Sequence, residues 1–172
     1  MSRCLVIDTT VVRASGGEAA SNPLSTSCRD FLKAVLSICH KVTITPDIQS
    51  EWKKHRSRFS STWLTSMDAR KKVVRIGTPD IRAIRKKLEK IPQNQGKEAM
   101  IKDLHLVAAA SAGDGLIVSL DEEARGFFEA TAESIGELKS LVWVNPGKTE
   151  DLGISWLKNG APSEKKRQLA PE

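Results

Sequence analysis

Residues 102–124 read KDLHLVAAASAGDGLIVSLDEEA, and this stretch decides the fold. Its first half continues a helix that opens near Lys97 and runs through small and aliphatic residues. The Asp114-Gly115 pair then supplies a turn. Gly115 to Leu120 is a short apolar run of the kind buried on both faces in a parallel sheet, and Asp121 follows it at the head of a helix over residues 121–133. Helix, turn, buried strand and helix form one unit of an α/β fold. The position of Asp121 matters because open α/β sheets bind their ligands outside the carboxyl ends of the strands.

Working outward, the N-terminus repeats the theme: Cys4-Leu5-Val6-Ile7 is a buried strand that ends in Asp8. A Gly/Ser/Asn/Pro-rich loop leads to a helix over 28–39 and a strand over 41–45. Thr45-Pro46, an N-cap followed by proline at the first helical position, opens a helix over 46–55. A helix over 61–72, a strand over 73–77 and a helix opened by Thr78-Pro79 come next. PQNQG (92–96) is read as a break. Beyond Asp121, residues 141–145 form a fifth strand, and the remainder holds one short helix at 154–157 before a polar tail expected to be mobile. The alternation predicts a three-layer α/β/α sandwich with a mostly parallel central sheet of about five strands and right-handed crossovers. We divide the chain into a domain over 1–146, carrying a basic helical insertion at 52–96, and a partly disordered C-terminal extension over 147–172.

If the first and fourth strands are parallel neighbours, Asp8 and Asp121 share one sheet edge. Glu51, a turn and a half into the helix after the second strand, leans back toward that edge, and Asp103 lies in the helix before the fourth. Each acid alone has a plainer reading. Ser119-x-x-Glu122 fits a capping box, Asp8 fits a turn, and Glu51 and Asp103 fit solvated helix positions. Asp47, Asp114 and Glu122 are outer-shell candidates, with Asp114 more simply the Asp-Gly turn.

LVIDTTVV, PDIQSEW and KDLHLVAAASAGDGLIVSLDEEA, in that order, resemble the PIN-domain nucleases over residues 3–145. The family includes toxins of prokaryotic toxin–antitoxin pairs. The resemblance implies a PIN-like fold and an endoribonuclease whose acidic cluster is Asp8, Glu51, Asp103 and Asp121, supported by Thr9, Thr10 and Ser119. It also implies hydrolysis of the phosphodiester to a 5′-phosphate and a 3′-hydroxyl. Oxygen-rich sites of this kind suit Mg²⁺ or Mn²⁺, with Asp8, Asp103 and Asp121 as ligands. Without a cation, four converging carboxylates repel one another. The rival readings are a PIN-like scaffold that binds RNA or protein without cutting, and a DNA nuclease.

The 172-residue chain carries a formal net charge of +6, concentrated in residues 51–90, where 13 Lys and Arg face 4 Asp and Glu. Lys53, Lys54, Arg56 and Arg58, with Arg70, Lys71 and Lys72, are candidate nucleic-acid contacts, and Trp52 and Trp63 beside them are candidates for base stacking. The expected partners are RNA, an antitoxin protein or a second copy of the chain. Three cysteines without a C-x-x-C pair suit a reducing cytoplasm. No 18-residue apolar run is present to enter a membrane. Other motifs fail. Pro146-Gly147-Lys148-Thr149 lacks the first glycine of a phosphate-binding loop, because position 142 is Val142. His40, His55 and His105 show no metal-ligand spacing, and His105 is placed on a different helix face from Asp103.

Overall fold

A computed structural model describes residues 1–92 and 96–171. Among them five strands form one sheet: β1 (Cys4–Ile7), β2 (Lys41–Ile44), β3 (Val73–Arg75), β4 (Leu116–Val118) and β5 (Val142–Val144). Their spatial order is β3-β2-β1-β4-β5, and every neighbouring pair is parallel. β1, β4 and β5 are almost wholly buried, which is why they read as unbroken apolar runs.

The chain places β2 and β3 on one side of β1, then returns to place β4 and β5 on the other. Right-handed crossovers therefore put the helices before β3 on one face and those between β3 and β5 on the opposite face. The first set is α1 (Thr9–Ala14), α2 (Pro23–Ser37), α3 (Pro46–His55) and α4 (Arg58–Ala69); the second is α5 (Arg82–Glu89), α6 (Gly96–Ser111), α7 (Glu122–Ala132) and α8 (Gly136–Lys139). Packing agrees: α2 contacts α1 and α4, while α6 contacts α5 and α7. The result is the expected three-layer α/β/α fold. The strand order reverses between β1 and β4, and such a switch point leaves a crevice outside the carboxyl ends of both strands.

Local chemistry explains several boundaries. The Thr45 hydroxyl accepts the Ile48 N–H at 3.2 Å with Pro46 at the first helical position, so α3 spans 46–55 as predicted. Thr78-Pro79 does not open a helix. The chain stays irregular to Ile81, and the Asp80 carboxylate takes the Arg82 N–H at 2.9 Å where α5 begins. The predicted break at 92–96 has its three central residues outside the described residues. Gly96 itself is buried at the start of α6, where a Cβ would lie 2.2 Å from the Phe127 ring.

Two predicted divisions of the chain do not hold. The segment 52–96 is no appendage, because it supplies α4, the edge strand β3 and α5, and buries Trp63, Met67 and Leu88 in the common core. The C-terminal stretch is not disordered over its described length. α9 (Gly153–Lys158) packs on α2, and its Trp156 and Leu157 join the same core. Past it, Arg167 is buried with its guanidinium 5.9 Å from the Trp156 ring and bonded to Glu164 Oε2 and the Asp151 carbonyl. Gln168 bridges Val142 antiparallel, and Leu169 and Ala170 donate to the carbonyls of Leu141 and Lys139. The polar run before Arg167 masks two apolar residues that hold the end of the chain on the sheet. No helix among the described residues is long and apolar enough to cross a membrane.

Candidate active site at the switch point of the sheet

Asp8 follows β1 and occupies the N-cap position of α1, yet its side chain caps nothing. Instead both of its hydrogen bonds come to Oδ2, from the Thr10 hydroxyl at 2.6 Å and the Ser119 hydroxyl at 2.7 Å. Those hydroxyls are oriented from behind: Thr10 Oγ1 accepts the Leu120 N–H at 3.1 Å, and Ser119 Oγ accepts the Asp121 N–H at 3.0 Å. With its oxygen lone pairs engaged by backbone, each hydroxyl turns its single proton to the carboxylate. The Asp8 N–H also donates to the Val118 carbonyl, so this network ties the ends of β1 and β4 together at the switch point.

Asp121 stands one residue past the network. The Ser119–Glu122 capping box does not form. Asp121 itself is the N-cap of α7, its Oδ1 accepting the Ala124 N–H at 2.8 Å. Glu122 turns away to Asn145, Lys148 and Arg125, and Asp114 sits at the opposite edge of the sheet, accepting the Cys4 N–H. Neither lines the cleft that holds the other acids.

Asp8, Glu51, Asp103 and Asp121 line one open cleft of about 520 Å³, with Thr9, Thr10 and Asp47 beside them. Asp47, Glu51 and His55 recur every four residues and form one stripe of α3 facing the cleft. Asp103 lies on α6 across from them. Burial, then the charges of Asp8 and Asp121, push its carboxyl up to about 6, only partly offset by His105 and Lys102. The Coulombic part of that shift, as distinct from the leading effect of burial, is the electrostatic sign that Asp8 and Asp121 lie near Asp103.

Arg13, Lys102, His55 and His105 also line the cleft and were not among the predicted site residues. Arg13 and His55 were within reach of sequence reasoning, since they follow Thr9 and Glu51 by one helical turn. His105 reaches the cleft despite its two-residue offset from Asp103, contrary to the different-face prediction.

The donor set fits a hard divalent cation, being all oxygen and carrying excess negative charge. It is not a closed cage. Among the described residues no three His, Cys, Asp or Glu side chains are grouped closely enough to hold a metal ion. Mutual repulsion opposes any closer approach of these carboxylates.

The predicted basic contacts divide. Lys53 and Arg56 line a separate groove on another side of α3, while Lys54 and Arg58 are exposed and line neither recess. Arg70, Lys71 and Lys72 precede β3, and the Lys72 carbonyl pairs with the start of β2, so they occupy the sheet edge opposite the carboxylates. Lys72 is further committed: its ammonium donates to the carbonyls of Val35, Leu36 and Ile38 at the end of α2, and burial depresses its pKa. Base stacking on the tryptophans is also ruled out. Trp52 and Trp63 are each 2% exposed and donate their indole N–H groups to the carbonyls of Ile7 and Leu32.

Neither a protein-family model nor a curated protein matches this chain, so the functional reading rests on its own residues.

Proposed function

We propose that this protein is a PIN-like, metal-dependent endoribonuclease acting at the cleft between β1 and β4. The observation that carries the reading is that Asp8, Glu51, Asp103 and Asp121, from four separated segments, line one cleft at the topological switch point of a parallel sheet. Asp8, Asp103 and Asp121 would hold the cation, with Glu51 facing them from α3. A divalent ion of the Mg²⁺ or Mn²⁺ type polarises a phosphoryl oxygen and makes water a stronger acid.

The chain's own contribution is positioning. Thr10 and Ser119 fix one oxygen of Asp8, which holds its carboxylate plane against thermal motion. Asp121 is held through Oδ1 by the α7 backbone. Asp103 retains a proton more readily than an ordinary carboxyl and would give it up on taking a cation. Arg13 and Lys102 on the cleft wall offer positive charge to a phosphodiester that the carboxylates would otherwise repel. The family resemblance adds the setting of a toxin held by an antitoxin.

The spacing of the carboxylates favours a second reading, a PIN-like scaffold that binds RNA without cutting it. One experiment separates the two. Purified protein is incubated with single-stranded RNA and Mn²⁺ or Mg²⁺, alongside Asp8→Asn and an EDTA control. Cleavage lost in both controls supports the nuclease. Equal cleavage by wild type and Asp8→Asn, or none by either under any metal, removes it. The same assay with single-stranded DNA decides between RNA and DNA as substrate.

A further inference from the structure

We infer that the groove on the other side of α3 is a phosphate-binding subsite for the nucleic-acid strand that enters the carboxylate cleft. The inference rests on the nucleolytic reading of that cleft, and it names where the strand is held. The groove encloses about 260 Å³, and its lining includes Ile44, Lys53, Arg56, Asp68 and Arg75. Arg75 is neutralised by a two-pronged pair with Asp68, at 2.7 and 2.8 Å. Lys53 and Arg56 are exposed, and among the described residues their side chains have no hydrogen-bond or ion-pair partner. Two uncompensated cations in a concavity make a site for phosphate oxygens, while the Ser61 and Thr65 hydroxyls donate to the carbonyls of Ser57 and Ser61.

Position gives the groove its relation to the cleft. Ile44 and Arg75 end β2 and β3, so the groove opens at the same carboxyl edge of the sheet as Asp8 and Asp121. Helix α3 is the ridge between them, presenting Glu51 and His55 to one side and Lys53 and Arg56 to the other. β3 lies two strands from β1, about 10 Å at the usual strand spacing, which matches the rise of about three stacked nucleotides. A strand cut at the cleft therefore has a phosphate within reach of Lys53 and Arg56. The charge order along the edge, negative in the cleft and positive in the groove, gives that strand a direction of approach.

The test measures binding without chemistry. Anisotropy of a fluorescent oligouridylate is followed in EDTA over a salt series for wild type, Lys53→Gln/Arg56→Gln, and Arg70→Gln/Lys71→Gln as a control of equal charge change at the far edge. The groove variant should bind about tenfold more weakly at low salt and lose about 1.4 from the log–log salt slope, at about 0.7 per lost phosphate contact. The control should match wild type. Unchanged affinity and slope in the groove variant, or an equal loss in the control, overturns the inference even if Mn²⁺-dependent cleavage is intact. A wild type that binds and loses binding in the groove variant but never cuts upholds the subsite while removing the nuclease. Preferential binding of a poly-glutamate peptide over the RNA also overturns it, in favour of an acidic protein partner.

Discussion

Replacing Asp103 by asparagine should make the protein more stable, and the size of the gain follows from the cleft. The Asp103 carboxyl sits near 6 instead of its ordinary 3.8 because burial and the charges of Asp8 and Asp121 disfavour its ionised form. Above that pH the folded protein carries the penalty of an unwelcome charge, and the unfolded chain does not. As pH falls through 6 the folded state takes up the proton first, and the penalty fades by the time the ordinary value is reached. Two units correspond to about 3 kcal/mol. Asp103 is only partly buried, so solvent screening reduces this to roughly 1.5 kcal/mol. For a chain of this size that is a rise of about 3–6 °C in Tm. The assay is thermal unfolding followed by circular dichroism in EDTA at pH 7.5 and pH 4.5. Asp103→Asn should melt higher at pH 7.5, and its lead should shrink to about a third at pH 4.5. Mn²⁺ at 100 times its Kd should add about 2.7 kcal/mol to wild type and much less to the variant. If Asp103→Asn melts at or below wild type at pH 7.5, or keeps the same gap at both pH values, the carboxylates do not act on one another and the convergence argument fails.

Other outcomes follow from single contacts. Ser119→Ala removes one of two donors to Asp8 Oδ2 and should cost about 1–2 kcal/mol in chemical denaturation; in the RNA assay it should lower kcat about 10- to 100-fold through a loosened carboxylate. Trp52→Phe breaks the indole bond to the Ile7 carbonyl and should destabilise by about 1–3 kcal/mol while leaving RNA affinity unchanged, whereas binding weakened equally at every salt concentration would revive base stacking. Arg167→Ala strips a buried cation from Glu164 and the Asp151 carbonyl, so Tm should fall and the midpoint in urea should move by the equivalent of about 3 kcal/mol; an unaffected midpoint would mean that the C-terminal stretch does not contribute to the core.

The sheet and its switch-point acids were legible because a strand buried on both faces leaves an unbroken apolar run, and the residue after such a run has only one edge to occupy. Asp8 and Asp121 are therefore readable from LVID and VSLD. α3 shows what a finer reading yields: Ile48 and Trp52 mark one stripe and face the core, while Asp47, Glu51 and His55 mark the next and face the cleft. From sequence Trp52 nonetheless reads as a substrate contact because cations flank it in the chain, although side chains adjacent in a helix point to different sides. Arg70 to Lys72 were misplaced for a related reason. Charge density along a chain ignores which end of a strand it precedes, and residues before β3 lie across the sheet from residues after β1. The packing of the last residues is hidden by composition: Glu164 is a local partner of Arg167, but the Trp156 ring and the Asp151 carbonyl that help bury it lie more than ten residues away in the chain.

The pairing of β1 with β4 sets the order of events as the chain is made. Strand β1 meets β2 after about 40 residues but must wait about 110 for Leu116 to reach Leu5. At ordinary synthesis rates that interval is on the order of ten seconds, during which one side of an apolar strand has no neighbour. Because Asp8 is fixed by Ser119, its orientation is among the last things to be established. A nascent chain would carry Asp8 and Glu51 well before Asp103 and Asp121, and Asp8 would stay unfixed until Ser119 had emerged and the β1–β4 seam had closed.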